Sequence, residues 1–215
     1  MDFRIPRDIA DFLAELDAFI EASIKPLEQA DDNMRFFDHR REDARTDWHR
    51  DGLPNAEWEA LLHQARQLAI AAGIFSYPFP EEHGGRNGNN LGMAIIREHL
   101  AARGLGLHND LQNEHSIVGN NIALLLMLEY GTEQQQAQWL PGLKDASQGF
   151  AFGITEPEHG SDATWMETAA TREGDEWVIN GEKTWNTGVH IAVSYTHLRA
   201  HETSSMISYS VFCLK

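Results

Sequence analysis

Two stretches gather residue types that bind and orient ligands. The first is Phe152-Gly153-Ile154-Thr155-Glu156-Pro157-Glu158-His159-Gly160-Ser161-Asp162. A short apolar run ends in Thr-Glu-Pro, and a glycine, a hydroxyl and an acid follow. Pro157 stiffens a turn, and Gly160 lets a ligand come close to the backbone. Thr155 and Ser161 offer hydroxyls, and exposed amides near Gly160 can hold an anionic oxygen. An ordinary β-turn with solvated Ser161 and Asp162 accounts for the same residues. The second stretch is Gly181-Glu182-Lys183-Thr184-Trp185-Asn186-Thr187-Gly188. It sets an indole and a hydroxyl near a strand end, where Trp185 can stack on a planar ligand or fill a core.

Other chemistries find no footing. There is no Gly-x-Ser-x-Gly elbow and no P-loop. Gly104-Leu105-Gly106 lacks a third glycine and follows a helix, unlike a dinucleotide fingerprint. None of the 11 histidines falls in a His-Glu-x-x-His pattern, and the spacing of His108 and His115 assigns no metal. His159, Ser161 and Asp162 are chain neighbours, whereas a catalytic triad is assembled from separate segments.

The elements that must carry these stretches change character along the chain. Asp8 can cap a helix with Ile9, Phe12, Leu16, Phe19 and Ile20 at helical spacing, and Lys25-Pro26 marks its end or a kink. Residues 31–54 are polar and read as a long connection. Asn55 can cap a helix that places Trp58, Leu61, Leu62, Ala65, Leu68 and Ala69 on one face and stops at Gly73. A loop, Tyr77 to Gly85, leads to a helix over 91–102. A further helix near 116–130 is apolar on most sides from Ile122 onward, as expected of a helix inside a bundle. Thr132 and Gln135 are spaced as a capping box. From about residue 148 the pattern turns to strands: Phe150 to Ile154, then Met166 to Arg172 and Trp177 to Ile179 joined by Glu173-Gly174-Asp175. Asn180-Gly181 is a hairpin signal, with a strand over 182–187 expected after it. Residues 193–215 show no consistent alternation.

Composition bounds the rest. The 215 residues suit one large domain or two modest ones. With 17 Lys and Arg against 33 Asp and Glu, the net charge of -16 argues against nucleic acid and anionic membrane as partners. A lone cysteine, Cys213, fits a reducing compartment. No secretory signal or membrane span is evident, so the expected location is the cytoplasm, or the mitochondrial matrix if a transit peptide has been lost.

Taken together, several motifs resemble the acyl-CoA dehydrogenase family over about residues 8–192. They are Pro80-Glu81-Glu82-His83-Gly84-Gly85, Gly131-Thr132-Glu133, Trp139-Leu140-Pro141, Thr155-Glu156-Pro157-x-x-Gly160-Ser161-Asp162, and Asn180-Gly181-x-Lys183-x-Trp185-x-Thr187. The resemblance implies an α+β chain: an all-α helical bundle over 1–147, then the start of an antiparallel β-barrel that binds FAD over 148–192. A third, carboxy-terminal helical domain is expected to be missing. Residues 193–215 match nothing in the family by eye and are expected to be an unrelated, artefactual tail.

The resemblance also implies a reaction: α,β-dehydrogenation of an acyl-CoA thioester to the 2-enoyl-CoA, with FAD as cofactor and electron-transferring flavoprotein as electron acceptor. A homodimer or homotetramer is implied for the full-length protein. Phe152, Ile154 and Thr155 would run along the flavin ring. Gly160 and Ser161 would contact the pyrophosphate, with Ser161 also approaching the CoA arm. Trp185 would cover one flavin face, and Thr187 would bond near N5, while Asn186 stands where many relatives carry an aliphatic residue. Glu156 and Asp162 would hold the turn. The family's catalytic glutamate belongs to the absent domain, so no base is assigned here, and Glu98 and Glu114 are read as solvated or structural. Acyl-CoA oxidases and flavin monooxygenases of the same fold, and a non-catalytic helical interaction module, are the alternatives.

Overall fold

The computed structural model describes residues 4–38, 40–109, 116–119, 122–186, 192–199 and 208–212. The chain packs as two units, Met1–Ile122 and Ala123–Lys215.

The first unit is helical. Helix α1, Arg7–Phe19, buries Ile9, Phe12, Leu13 and Leu16, the stripe expected at i, i+3, i+4 and i+7. Its N-cap is Pro6 rather than Asp8, which lies in the first turn and complements the helix dipole there. The chain does not stop at Lys25-Pro26. It passes through one π-helical stretch, Ile20–Ile24, and continues as α2, Lys25–Gln29. Proline at residue 26 has no N–H for the regular ladder, and the widened turn, in which the Lys25 N–H reaches Ile20 O, absorbs it. Leu16, Ile20 and Ile24 are fully buried and keep one face across the change. Each such side chain contributes about 1.5–3 kcal/mol by its removal from water.

The connection over 31–54 is packed rather than loose. It holds 3-10 turns and a two-residue ladder of β1, Thr46–Asp47, with β2, Leu53–Pro54. Phe36 is buried with its ring 5.1 Å from Trp58, and the Arg45 guanidinium lies 4.3 Å over the Trp58 ring. The expectation of a polar linker missed this because charged residues dominate the stretch and the two aromatics lack period. Helix α3, Ala56–Ala71, is capped by Asn55, whose side chain accepts from the Glu57 N–H, and it buries Trp58, Leu61, Leu62, Ala65 and Ala69. Leu68 sits at the rim of that face, 36% exposed. Helix α4, Asn90–Ala102, starts at Asn89, which caps the Gly92 N–H, and buries Ile96 and Leu100.

The Pro80 to Gly85 loop is shaped by close packing on Phe79, which is 1% exposed. A Cβ on Gly85 would lie 2.0 Å from the Phe79 carbonyl oxygen, a backbone atom that cannot move aside. Gly85→Ala is therefore expected to cost about 1–3 kcal/mol by overpacking, read as a lower urea midpoint at unchanged slope.

In the second unit, α5, Ile122–Tyr130, buries Leu124 and Met127 but leaves Ile122 and Leu125 well exposed. A helix apolar on most sides does not declare which side it buries, and the expected helix inside a bundle is buried on one side only. Helix α6, Glu133–Lys144, opens with the expected capping box: the Gln135 N–H donates to Thr132 Oγ1, and the Thr132 N–H donates to Gln135 Oε1 at 2.9 Å.

The strands are β3 (Gly149–Gly153), β4 (Ala169–Glu173), β5 (Glu176–Asn180), β6 (Ala192–Arg199) and β7 (Ser208–Phe212). β4 and β5 form the expected antiparallel hairpin across Gly174-Asp175. β3, however, pairs in parallel with β6, which pairs antiparallel with β7. The described strands thus form a hairpin and a mixed three-stranded sheet, not the start of a wholly antiparallel barrel. The long β3-to-β6 connection permits the parallel pairing, which a tight turn would forbid. Residues 192–199 and 208–212, within the stretch expected to be an unrelated tail, pair with β3 and with each other. Among the described residues no helix is long and apolar enough to cross a membrane.

Candidate functional site

The site grows from the end of β3. After Gly153 the chain runs through Ile154 and Thr155 into a tight turn, Glu156 to His159. The Glu156 and His159 backbones exchange hydrogen bonds of 3.2 and 3.1 Å, with Pro157 at the second position, where its fixed φ is preorganised. Gly160 and Ser161 follow, both exposed, and a Cβ at Gly160 would meet nothing within 4 Å. Asp162 accepts from the Thr164 hydroxyl at 2.7 Å, and His159 Nε2 lies 3.6 Å from a Glu167 carboxylate oxygen. These partners leave no Ser-His-Asp relay.

The second segment leaves β5 at Asn180-Gly181. Gly181 has φ +150°, and a Cβ there would lie 2.3 Å from Thr168 Oγ1. That conformation is not the left-handed one a two-residue hairpin turn needs, so no hairpin forms and residues 182–186 are not a strand. Instead the chain crosses to the first segment. The Thr184 N–H donates to Thr155 O at 2.9 Å.

One residue earlier, Lys183 enters the interior. Its side chain is 2% exposed and that of Glu156 is 4% exposed. Lys183 Nζ donates to Glu156 Oε1 at 2.8 Å, to Ile154 O at 3.1 Å and to Met166 Sδ at 3.4 Å. The Glu156 carboxylate also accepts the Glu167 N–H at 2.7 Å and the Thr168 N–H at 2.9 Å. Burial alone would push this carboxyl up. The hydrogen bonds from Lys183 and from the Glu167 and Thr168 amides outweigh burial and hold it at about 2.

The residues singled out from sequence fall as follows. Ile154 and Thr155 are half-buried at the crossing, while Gly160 and Ser161 are exposed on the turn beyond it. Trp185 is 89% exposed on a left-handed backbone, φ +58°. A bulky residue there is strained by about 1–2 kcal/mol, and such strain concentrates at ligand sites. Asn186 is half-buried. Phe152 is described in its backbone alone, as part of β3, and Thr187 and Glu114 lie outside the described residues. Glu98 is exposed on α4, in the other unit. The hydrogen bond from Thr184 to Thr155 brings the two sequence stretches together. Sequence reasoning gave Lys183 no role. The available signal was a lone lysine in one motif and a lone glutamate with no assigned chemistry in the other.

The sequence model of the acyl-CoA dehydrogenase N-terminal domain matches residues 7–147, and that of the middle domain matches residues 151–215. An acyl-CoA dehydrogenase of Mycobacterium tuberculosis is 32% identical over 143 residues, which cover 66% of this chain and 36% of that protein. A glutaryl-CoA dehydrogenase of Desulfococcus multivorans is 28% identical over 187 residues, 86% of this chain and 41% of that protein. The chain thus spans well under half the length of these curated relatives. A glutaryl-CoA dehydrogenase of Mycobacterium smegmatis, solved in complex with FADH2, shares the fold with a TM-score of 0.63 at 23% identity, over 97% of this chain and 46% of its own. The chain belongs to the acyl-CoA dehydrogenase family, a family of FAD-binding oxidoreductases.

Proposed function

We propose that this chain serves the FAD-dependent α,β-dehydrogenation of an acyl-CoA thioester, with residues 1–147 as the helical domain and the segment from residue 148 holding part of the flavin site. The observation that carries the reading is Trp185: an indole 89% exposed on strained backbone, one residue from the bond that joins the two motifs. A solvent-facing aromatic held against its backbone preference fits a planar ligand better than a core. The neighbouring donors fit the rest of a flavin dinucleotide. Exposed Ser161 and the open space over Gly160 suit pyrophosphate oxygens, and Thr155 suits the polar edge of the ring. Ser161 is also proposed to meet the CoA arm, and Ile154, Phe152 and Thr187 are proposed to complete the flavin contacts.

When bound, FAD supplies the hydride acceptor. The chain's own residues bind and orient it. The proton at the substrate α carbon needs a base, and Glu156 is not that base. Its oxygens already accept three hydrogen bonds, and a carboxyl held at about 2 is too weak to take a proton at neutral pH. The base is proposed to lie outside residues 1–192. Electron-transferring flavoprotein is the proposed acceptor, the complete protein is a homodimer or homotetramer, and it acts in the cytoplasm or the mitochondrial matrix.

The test is anaerobic. The chain is mixed with excess FAD and with acyl-CoA thioesters of several lengths, and the oxidised flavin absorbance is followed. No bleaching is expected from the 215-residue chain itself. Bleaching by the chain alone would show that the base lies within these residues.

A further inference from the structure

We propose that the buried Glu156–Lys183 ion pair is a clasp that sets the flavin-binding geometry, making both positioning residues for FAD. The proposal rests on the flavin reading above. Its starting point is where the two charges sit. A single ammonium grips the chain on both sides of Thr155: the Ile154 carbonyl at 3.1 Å and the Glu156 carboxylate at 2.8 Å. The next residue after Lys183 donates its amide to the Thr155 carbonyl. Thr155 is therefore held at its own carbonyl and at both neighbours by two consecutive residues of the other motif.

The same grip governs Trp185. It lies two residues beyond Lys183 on left-handed backbone, a conformation that persists only where the surroundings impose it. The glutamate end of the clasp is anchored independently, because the Glu167 and Thr168 amides fix the carboxylate from the β4 side. Any slip of the 183–185 segment past 154–156 would leave a buried charge unpaired.

A buried ion pair is a poor device for net stability, because desolvation offsets most of its attraction, but it tolerates one geometry only. Two hydrophobic side chains would hold the segments together as firmly and let them slide. The pair is thus suited to setting the distance between the Thr155 hydroxyl and the Trp185 indole rather than to holding the fold.

The test separates those two roles. The double variant Glu156→Gln with Lys183→Met removes both charges and keeps an acceptor oxygen for one of the Glu167 and Thr168 amides. Three quantities are read on the 215-residue chain: the urea midpoint, hydrogen exchange at the Thr184 amide against the β4–β5 hairpin amides, and FAD affinity by flavin fluorescence. A positioning clasp predicts a midpoint and hairpin exchange close to wild type. It also predicts at least tenfold faster exchange at Thr184 and at least tenfold weaker FAD binding. Wild-type Thr184 exchange with wild-type FAD affinity overturns the proposal. So does a parallel loss of protection at Thr184 and the hairpin, which marks a merely structural pair. Should the double variant not fold, Glu156→Asp, which keeps the charge and shortens its reach, is read the same way. If the wild-type chain itself binds no FAD, the flavin reading falls, and Thr184 exchange alone still decides whether the clasp exists.

Discussion

Replacing Trp185 by alanine is expected to weaken FAD binding by roughly 30- to 100-fold while leaving the fold intact. The indole is 89% exposed, so its removal takes little from the packed interior, and folding stability should move by no more than about 0.5 kcal/mol. A flavin lying on it would cover about 100 Å² of apolar surface. At ~25 cal/mol per Å² that is about 2.5 kcal/mol, close to two orders of magnitude in Kd. The backbone adds a second arm. Trp185 sits at φ +58°, where glycine is at ease and other residues are not. Trp185→Gly should therefore bind FAD as poorly as the alanine variant yet raise folding stability by about 1 kcal/mol. Equal FAD affinity in all three proteins would remove Trp185 from the site, and a destabilised glycine variant would show that the conformation carries no strain.

The second large effect is a loss of stability in acid that traces to one carboxyl. Glu156 is held at about 2 in the folded chain against an ordinary 4.5. Above about 4.5 the carboxyl is ionised in both folded and unfolded chains, and its full contribution is present. As the pH falls below that, the unfolded chain takes up the proton first and the contribution shrinks. It is gone once the pH drops through about 2. Protonation leaves the buried Lys183 ammonium without its counter-charge, a cost on the order of a few kcal/mol that removing both charges together does not carry. Urea midpoints in a pH series across that window should fall steeply for the wild type. The decline should be shallower by this amount for Glu156→Gln, in which the titrating group is gone. Indistinguishable slopes for the two proteins would mean that the pair does not hold its charge in the folded state.

The contrast between what the sequence revealed and what it concealed follows from the range of each interaction. Helices α1, α3 and α4 were legible because each repeats its apolar residues at a period that only a helix satisfies, as Ile9, Phe12 and Leu16 do. The Thr132 capping box was legible because its two bonds span three residues. The hairpin across Gly174-Asp175 was legible for the same reason, and Asn180-Gly181 shows the limit of that signal. Gly181 did mark a backbone that favours glycine, but its φ of +150° is not that of a two-residue hairpin turn. The parallel pairing of β3 with β6 was hidden because a period-2 pattern says nothing about the partner. In the site, the ligand-facing types were visible, but the Lys183–Glu156 contact was not. It joins residues 27 apart, and burial of both charges is a property of the folded chain.

On the proposed reading the turn at 154–161 and the segment at 183–187 together hold FAD. The most direct measurement is a titration of the isotope-labelled chain with FAD, followed by backbone amide shifts. The account predicts saturable shifts at Thr155, Gly160, Ser161 and Trp185, with the amides of α3 and α4 unmoved. Saturable shifts centred on the helical unit, or none at those four residues as FAD is raised well above the protein concentration, would contradict it.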